Sequence, residues 1–408
     1  MAATIIRALN GLIVVKIMAT HSSVGDFGKI SQIMGVIAMC SLFAAGGIGS
    51  GLSRNLAAAR GIEERHRWLT VALRVSVIST LCIAVALILC SLPLSLVLLD
   101  DSAFIWLFIF LAISQALVGA STVAQAVAVA DRAYSFILKV ASLSAILGAL
   151  CVLVGISFAG LLGGVYALLI NSAMSGIVSL LLKKASVRRL IAQWRAPVAK
   201  SDAINLLKYA AVTLTGAASL IISQLAGRNA VGATLGWEVV GLWQAAVKIS
   251  DVYMQLISTV LMGFVLPKLS ASVKYREMHL ELMKILRVSI FLFIFLASVL
   301  YFARSIVVGI LFDSNFSGAS HLIGLQLIGD FFRVIAVTLS VGMLATGATR
   351  LPIMFEGAQG VLTFLLTIGL INTFANLAPL VAYAVCYMLL ACILSFFHYQ
   401  RLSKEGVK

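Results

Sequence analysis

The sequence predicts an all-α integral membrane protein with twelve transmembrane helices in two six-helix lobes. Three observations predict it. Of 408 residues, 62% are hydrophobic and only 11% are charged, too few polar groups to cover a soluble fold of this length. Apolar runs recur along the whole chain, each near the roughly 20 residues that a hydrocarbon core requires. Basic residues gather in every second break between those runs. The composition excludes a cytosolic enzyme. It also redirects the basic excess, 30 Lys and Arg against 15 Asp and Glu, from a nucleic-acid site to the cytoplasmic loops of a membrane protein.

The first six spans are read at 3–20, 31–55, 69–98, 103–130, 135–156 and 161–183. The second six follow at 204–226, 240–266, 286–311, 321–347, 352–371 and 377–398. Breaks after even-numbered spans carry Arg54, Arg60, Arg65 and Arg67; Arg132; Lys183, Lys184, Arg188, Arg189, Arg195 and Lys200; Lys268, Lys274 and Arg276; Arg350; and Arg401, Lys404 and Lys408. Breaks after odd-numbered spans hold little beyond Lys29 and Arg228, with the acids Asp26, Asp100, Asp101, Glu238 and Asp313. By the positive-inside rule this alternation places both termini in the cytoplasm. Arg7 and Lys16 interrupt the only candidate for a secretory leader, so the N-terminus reads as a retained first helix.

Residues 1–186 form the first expected lobe, 187–202 a cytoplasmic linker and 203–408 the second lobe. A faint repeat supports the division. Asp100 and Asp313 close spans 3 and 9, Gln32 and Gln244 open spans 2 and 8, and Arg54 and Lys268 close those same spans, with offsets of 212 to 214. Six spans per half give both halves one orientation, hence a pseudo-two-fold axis along the membrane normal.

Ionisable groups inside spans are costly and mark interior or water-filled positions. Span 1 holds Arg7 and Lys16, span 8 Lys248 and Asp251, span 9 Arg304, span 10 Asp330 and Arg333, and span 11 opens with Glu356. The pairs Lys248/Asp251 and Asp330/Arg333 are spaced i, i+3 on one helix face, as structural ion pairs also are. The blander role for Arg304 and Arg7 is to snorkel to an interface. Taken together, the basic groups outnumber the acids and suit a cavity for an anion such as a phosphate or pyrophosphate. The six cysteines form no C-x-x-C pair and the five histidines no H-x-x-x-H, so no metal or cofactor is expected. "GGIGSG" at Gly46–Gly51 lacks the order of a phosphate loop and reads as close helix packing. Trp106, Trp237 and Trp243 fit interfacial belts, with sugar stacking a minor alternative for Trp243.

Four segments carry a family resemblance: "GWEVVGLWQAAVKISDVYMQLIS" (Gly236–Ser258), "LPKLS" (Leu266–Ser270), "LQLIGDFFRV" (Leu325–Val334) and "FEGAQ" (Phe355–Gln359). They resemble the Wzx-type flippases of lipid-linked oligosaccharides, in particular the enterobacterial common antigen branch alongside the O-antigen flippases. That family belongs to the multidrug/oligosaccharidyl-lipid/polysaccharide exporter superfamily, two six-helix lobes around a cationic cavity. The resemblance implies an undecaprenyl-pyrophosphate-linked repeat unit as substrate, moved to the periplasmic leaflet of the bacterial inner membrane. It implies membrane lipids as surroundings and the polymerase and chain-length regulator of the same pathway as candidate partners. By motif, Arg7, Lys16, Arg304 and Arg333 fall on basic positions of the substrate cavity, and Asp251, Asp330 and Glu356 on its acids, where they balance charge and are candidates for proton or sodium coupling. Lys248 has no counterpart in that motif and enters as a substrate-binding candidate on its charge alone.

The competing readings are a multidrug antiporter of the same superfamily, a major-facilitator transporter and a membrane glycosyltransferase or polymerase. The facilitator signature is missing from Ser50–Trp68, no ATP-binding motif is present, and the outward loops are too short for a catalytic domain.

Overall fold

The computed structural model describes residues 2–99, 102–182, 200–271, 275–346 and 350–405, and every regular element among them is helical. Asp100, Asp101, Lys274, Lys408 and most of the expected linker, 187–199, lie outside the described residues. The helices are α1 (Ala2–Thr20), α2 (Val24–Phe43), α3 (Gly49–Ala58), α4 (Ile62–Leu89), α5 (Ser91–Leu99), α6 (Ile105–Ala130) and α7 (Tyr134–Leu182). They continue with α8 (Lys200–Leu235), α9 (Trp237–Val260), α10 (Leu266–Ser270), α11 (Tyr275–Leu311), α12 (Ala319–Ala345), α13 (Arg350–Phe374) and α14 (Ala378–Glu405).

Among the described residues nine helical stretches are long and apolar enough to cross a membrane. The twelve-span reading counts α7 twice and divides Met354–Ser403 between α13 and α14, and it adds α8. α7 does break internally, at Ala159 and Gly160, where Gly160 takes φ 58° and ψ −148°. That positive φ is open to glycine at little cost.

Span 2 differs from its sequence reading. It is not one helix over 31–55: α2 starts at Val24 and stops at Phe43, and α3 follows after a turn. The early start is a cap: the Asp26 amide donates to Ser23 Oγ at 3.1 Å, and Ser23 Oγ donates to Asp26 Oδ2 at 2.7 Å. Ser23 thereby satisfies a first-turn donor that hydropathy assigns to a loop. The turn sits at Gly46 and Gly47, both near φ +63°, and hydropathy is blind to such a bend. A short π-turn, Leu261–Val265, similarly separates α9 from α10 inside predicted span 8.

Two compact units divide the chain. One contains Ala2–His21 and Gln32–Ala218; the other contains Ser22–Ser31 and Ser219–Lys408. The unit boundaries thus fall within α2 and within α8, and the first turns of α2 belong with the C-terminal half. The internal repeat is visible in the element order. α2 and α9 begin 213 positions apart, α4 and α11 also 213, and α6 and α12 214.

In the N-terminal unit Ile48, Leu52, Val71, Ala72 and Leu206 form a buried apolar cluster. In the C-terminal unit Leu282, Leu339, Cys386 and Leu394 lie at the centre of another. Lipid offers helices no hydrophobic drive to associate, so close backbone approach through small residues matters. The start of α2 crosses the start of α9 in this way: a Cβ at Gly241 would run into the carbonyl oxygen of Val24, and one at Gly28 would meet the Gly241 nitrogen at 3.1 Å. Beside the crossing, Phe27 stacks edge-on to Phe312 and Phe316 with centroids 5.8 and 5.4 Å away.

Gly241→Leu should therefore lower stability by about 2 kcal/mol through overpacking, read as an earlier thermal transition in detergent. Gly11→Leu is the control, because nothing lies within 4 Å of a Cβ at Gly11. A pH effect is expected in the break between predicted spans 8 and 9, where Glu281 accepts a hydrogen bond from Lys268 and lies 3.8 Å from Lys284 Nζ. The Lys268 bond, reinforced by charge, holds the Glu281 carboxyl below its ordinary value. A depressed folded value gives stability that is present above the unfolded pKa and lost as the pH falls through the folded one. The small difference in melting temperature between Lys268→Met and the parent should then shrink as pH drops from about 5 to about 3.

Candidate functional site

Within the C-terminal unit, α8, α9, α12, α13 and α14 enclose a cavity of about 140 Å3. Helical spacing puts its wall together. Trp243, Gln244, Val247, Lys248 and Asp251 follow one stripe of α9, and Pro379, Tyr383 and Tyr387 repeat every fourth residue on α14. Gln359, Thr363 and Thr367 do the same on α13.

Three cations reach this wall and one acid opposes them. Arg228 of α8 is buried, and its Nη1 donates to Gln244 Oε1 at 3.3 Å. Lys248 Nζ stands 4.0 Å from Asp251 Oδ2 across one turn of α9. Arg333 of α12 donates from Nη1 to the Tyr383 hydroxyl at 3.2 Å, with its guanidinium 5.7 Å from the Tyr387 ring. The amides of Gln224, Gln244, Gln326 and Gln359 and the Trp243 indole complete a polar, aromatic lining. The surface is net positive and rich in hydrogen-bonding groups. It can hold an anionic group of modest size.

Behind the wall lies Asp330, with no exposed surface. Its Oδ1 accepts from the Tyr383 hydroxyl at 2.6 Å, and its Oδ2 accepts from Ser250 Oγ at 2.7 Å and from the Tyr253 hydroxyl. Gln326 Nε2 is 3.3 and 3.4 Å from the two oxygens. Buried carboxylates survive only when satisfied in this manner. Among the described residues Asp330 and Arg333 form no ion pair within 4.0 Å, despite their i, i+3 spacing; Tyr383 stands between them.

The structure thus brings Lys248, Asp251 and Arg333 together on one wall and sets Asp330 directly behind it. Arg304 does not line the cavity. Its Nη1 donates to the Tyr301 carbonyl at 2.7 Å and its guanidinium lies 4.3 Å over the Tyr301 ring. Glu356 is exposed on α13, off the wall. Arg7 and Lys16 belong to the other unit, where Arg7 donates to Gln125 of α6 and Lys16 is exposed on α1.

Arg228 is the residue that sequence reasoning missed. Its charge was itself the sign that ended span 7 at 226, whereas α8 continues to Leu235 and ends at Gly236, φ 92°. The apolar stretch from Ala230 to Leu235 was the available signal. Tyr383 and Tyr387, four apart on span 12, carried no charge to draw notice.

The model of a family described as polysaccharide biosynthesis protein matches residues 17–321, about three quarters of the chain. The chain belongs to this family. Its relatives include the Lipid III flippase of Escherichia coli (strain K12), 23% identical over 398 residues, covering 95% of this chain and 93% of that protein. The Lipid III flippase of Shigella flexneri matches to the same extent. Among solved structures, an inward-facing MATE family multidrug resistance transporter of the MOP superfamily superposes with a TM-score of 0.81 at 12% identity, covering 97% of this chain and 95% of that one. The lipid II flippase MurJ, inward closed, superposes with a TM-score of 0.76 at 15% identity, covering 97% and 86%. The structural likenesses establish the fold.

Removing the buried carboxylate tests the site's internal support. Asp330→Ala should cost about 3 kcal/mol, because hydroxyl donors on two other helices lose their acceptor. Asp330→Asn, which keeps an acceptor oxygen, should cost distinctly less in the same thermal unfolding experiment.

Proposed function

We propose that this family member is a flippase, a transporter and not an enzyme, that moves a lipid-linked oligosaccharide from the cytoplasmic to the periplasmic leaflet of the bacterial inner membrane. The observation that carries the reading is the net-positive cavity of the C-terminal unit, in a chain that aligns over nearly its full length with Lipid III flippases. The substrate is an undecaprenyl-pyrophosphate-linked repeat unit. Its pyrophosphate supplies the anion, and Arg228, Lys248 and Arg333 supply the opposing charge, Arg with a fork suited to phosphate oxygens. The polyprenyl tail remains in lipid, so only the head group has to be stabilised away from water.

Transport proceeds by alternating access, with both termini in the cytoplasm, and is coupled to a proton or sodium gradient. Asp251 is the acid placed to respond to that gradient, since it faces the cavity beside Lys248. Asp330 serves as a fixed counter-charge. The polymerase and chain-length regulator of the same pathway are the partners that would receive the flipped unit. A multidrug antiporter has the same fold, but a surplus of cations on the wall repels the cationic compounds such a carrier would export.

Depleting the protein in its host should leave complete lipid-linked repeat units accumulating on the cytoplasmic face, measured by lipid extraction and leaflet-selective labelling. Loss of those units would point to a biosynthetic enzyme, surface molecules bearing a single repeat to a polymerase, and unchanged lipids would contradict the flippase. In the same host, Arg333→Ala and Arg228→Ala should each reduce export roughly tenfold, the equivalent of one lost head-group contact.

A further inference from the structure

The arrangement of Asp330, Tyr383 and Arg333 carries an inference that rests on the flippase reading. We propose that Tyr383 is a positioning residue that keeps Arg333 from pairing with Asp330, so that the guanidinium stays available to the substrate's pyrophosphate. Asp330 and Arg333 lie three residues apart on α12, a spacing at which opposite charges normally close on each other. In a water-poor interior such a contact would be strong, and an arginine so engaged would have to break it before holding another anion.

The observed chain of bonds prevents this. The Tyr383 hydroxyl spends its one proton on Asp330 Oδ1 at 2.6 Å, and its oxygen then accepts from Arg333 Nη1 at 3.2 Å. Asp330 Oδ2 is occupied by Ser250 and Tyr253. The carboxylate is thus filled by neutral donors, and Arg333 makes no other hydrogen bond among the described residues. A guanidinium carries five N–H groups, so donors remain on Arg333, which lines the cavity with its guanidinium 5.7 Å from the Tyr387 ring.

The backbone makes room for this device. Gly329, the residue before Asp330, lies against the Tyr383 ring; a Cβ there would collide with ring carbon Cδ1 and stand 2.6 Å from Cε1. Any larger residue would push the tyrosine out of the position between acid and base.

The test is calorimetric titration of inorganic pyrophosphate into the purified full-length protein, with melting temperature checked for each variant. Tyr383→Phe keeps the ring and removes the spacer, so it should weaken binding roughly tenfold as Arg333 turns onto Asp330. Adding Asp330→Asn removes the competitor, so the Tyr383→Phe/Asp330→Asn double variant should return to within about threefold of the parent. A purely structural role for Tyr383 would give no such rescue, since the second change removes still more hydrogen bonding. Gly329→Ala, which displaces the ring and leaves the hydroxyl, should weaken binding in the same direction and be rescued by the same Asp330→Asn change, which covers the case in which Tyr383→Phe fails to fold. Parent-like affinity in Tyr383→Phe, or a double variant no better than the single, would overturn the proposal. So would a parent protein that does not bind pyrophosphate, whereas the leaflet distribution of lipid-linked units after depletion decides the flippase reading on its own.

Discussion

One buried carboxylate organises the C-terminal unit. Asp330 on α12 receives hydrogen bonds from Ser250 and Tyr253 on α9, from Tyr383 on α14 and from Gln326 one turn earlier on its own helix. Inside a membrane protein there is no water to replace a lost partner, so these donors are held to their acceptor. Three helices are thereby pinned at one depth. Lys248 and Asp251 flank Ser250 on α9, and Arg333 is one turn beyond Asp330. Part of the cavity wall is therefore built from the anchors and their near neighbours on α9, α12 and α14, while α8 and α13 supply the rest.

The chemical character of the wall follows from which charges are spent internally. Asp330 is consumed by neutral donors, so its charge does not cancel that of Arg333 by contact. Asp251 offsets Lys248 at 4.0 Å, Arg228 donates to the Gln244 amide oxygen at 3.3 Å, and three cations face one acid on the wall. A positive surplus remains. The fold itself is shared with MATE transporters and MurJ at 12% and 15% identity, and one fold supports many cargoes.

Much of this was legible in the sequence, and the reasons for the exceptions are physical. Hydropathy located most of the helices because lipid demands apolar runs, and the costly intramembrane charges Lys248, Asp251, Asp330 and Arg333 fall on the stretches of α9 and α12 that meet at the cavity. Hydropathy did not locate the turn at Gly46 and Gly47 in predicted span 2, since an apolar stretch keeps its character through a change in φ. Arg228 was read as the end of a span because a charge is weak evidence for continuing one, yet α8 carries it inward past that point. The spacing of Asp330 and Arg333 put both charges on one helix face and left a structural ion pair as the blander alternative. The hydroxyl that separates them comes from Tyr383, 50 residues further along than Arg333, and no local pattern announces a partner at that distance. Arg304 matched a family position but packs on Tyr301 of its own helix, because a long side chain's direction is set by neighbours that spacing does not reveal.

The central claim is that this cavity serves the transbilayer movement of a pyrophosphate-linked glycolipid. The most direct measurement reconstitutes the purified protein into liposomes with a labelled undecaprenyl-pyrophosphate oligosaccharide confined to the inner leaflet. The glycan's accessibility to an externally added glycosidase is then followed over time. The account predicts that the glycan becomes accessible at a rate proportional to protein content and that excess external pyrophosphate slows it. Accessibility no faster than in protein-free liposomes would contradict the account.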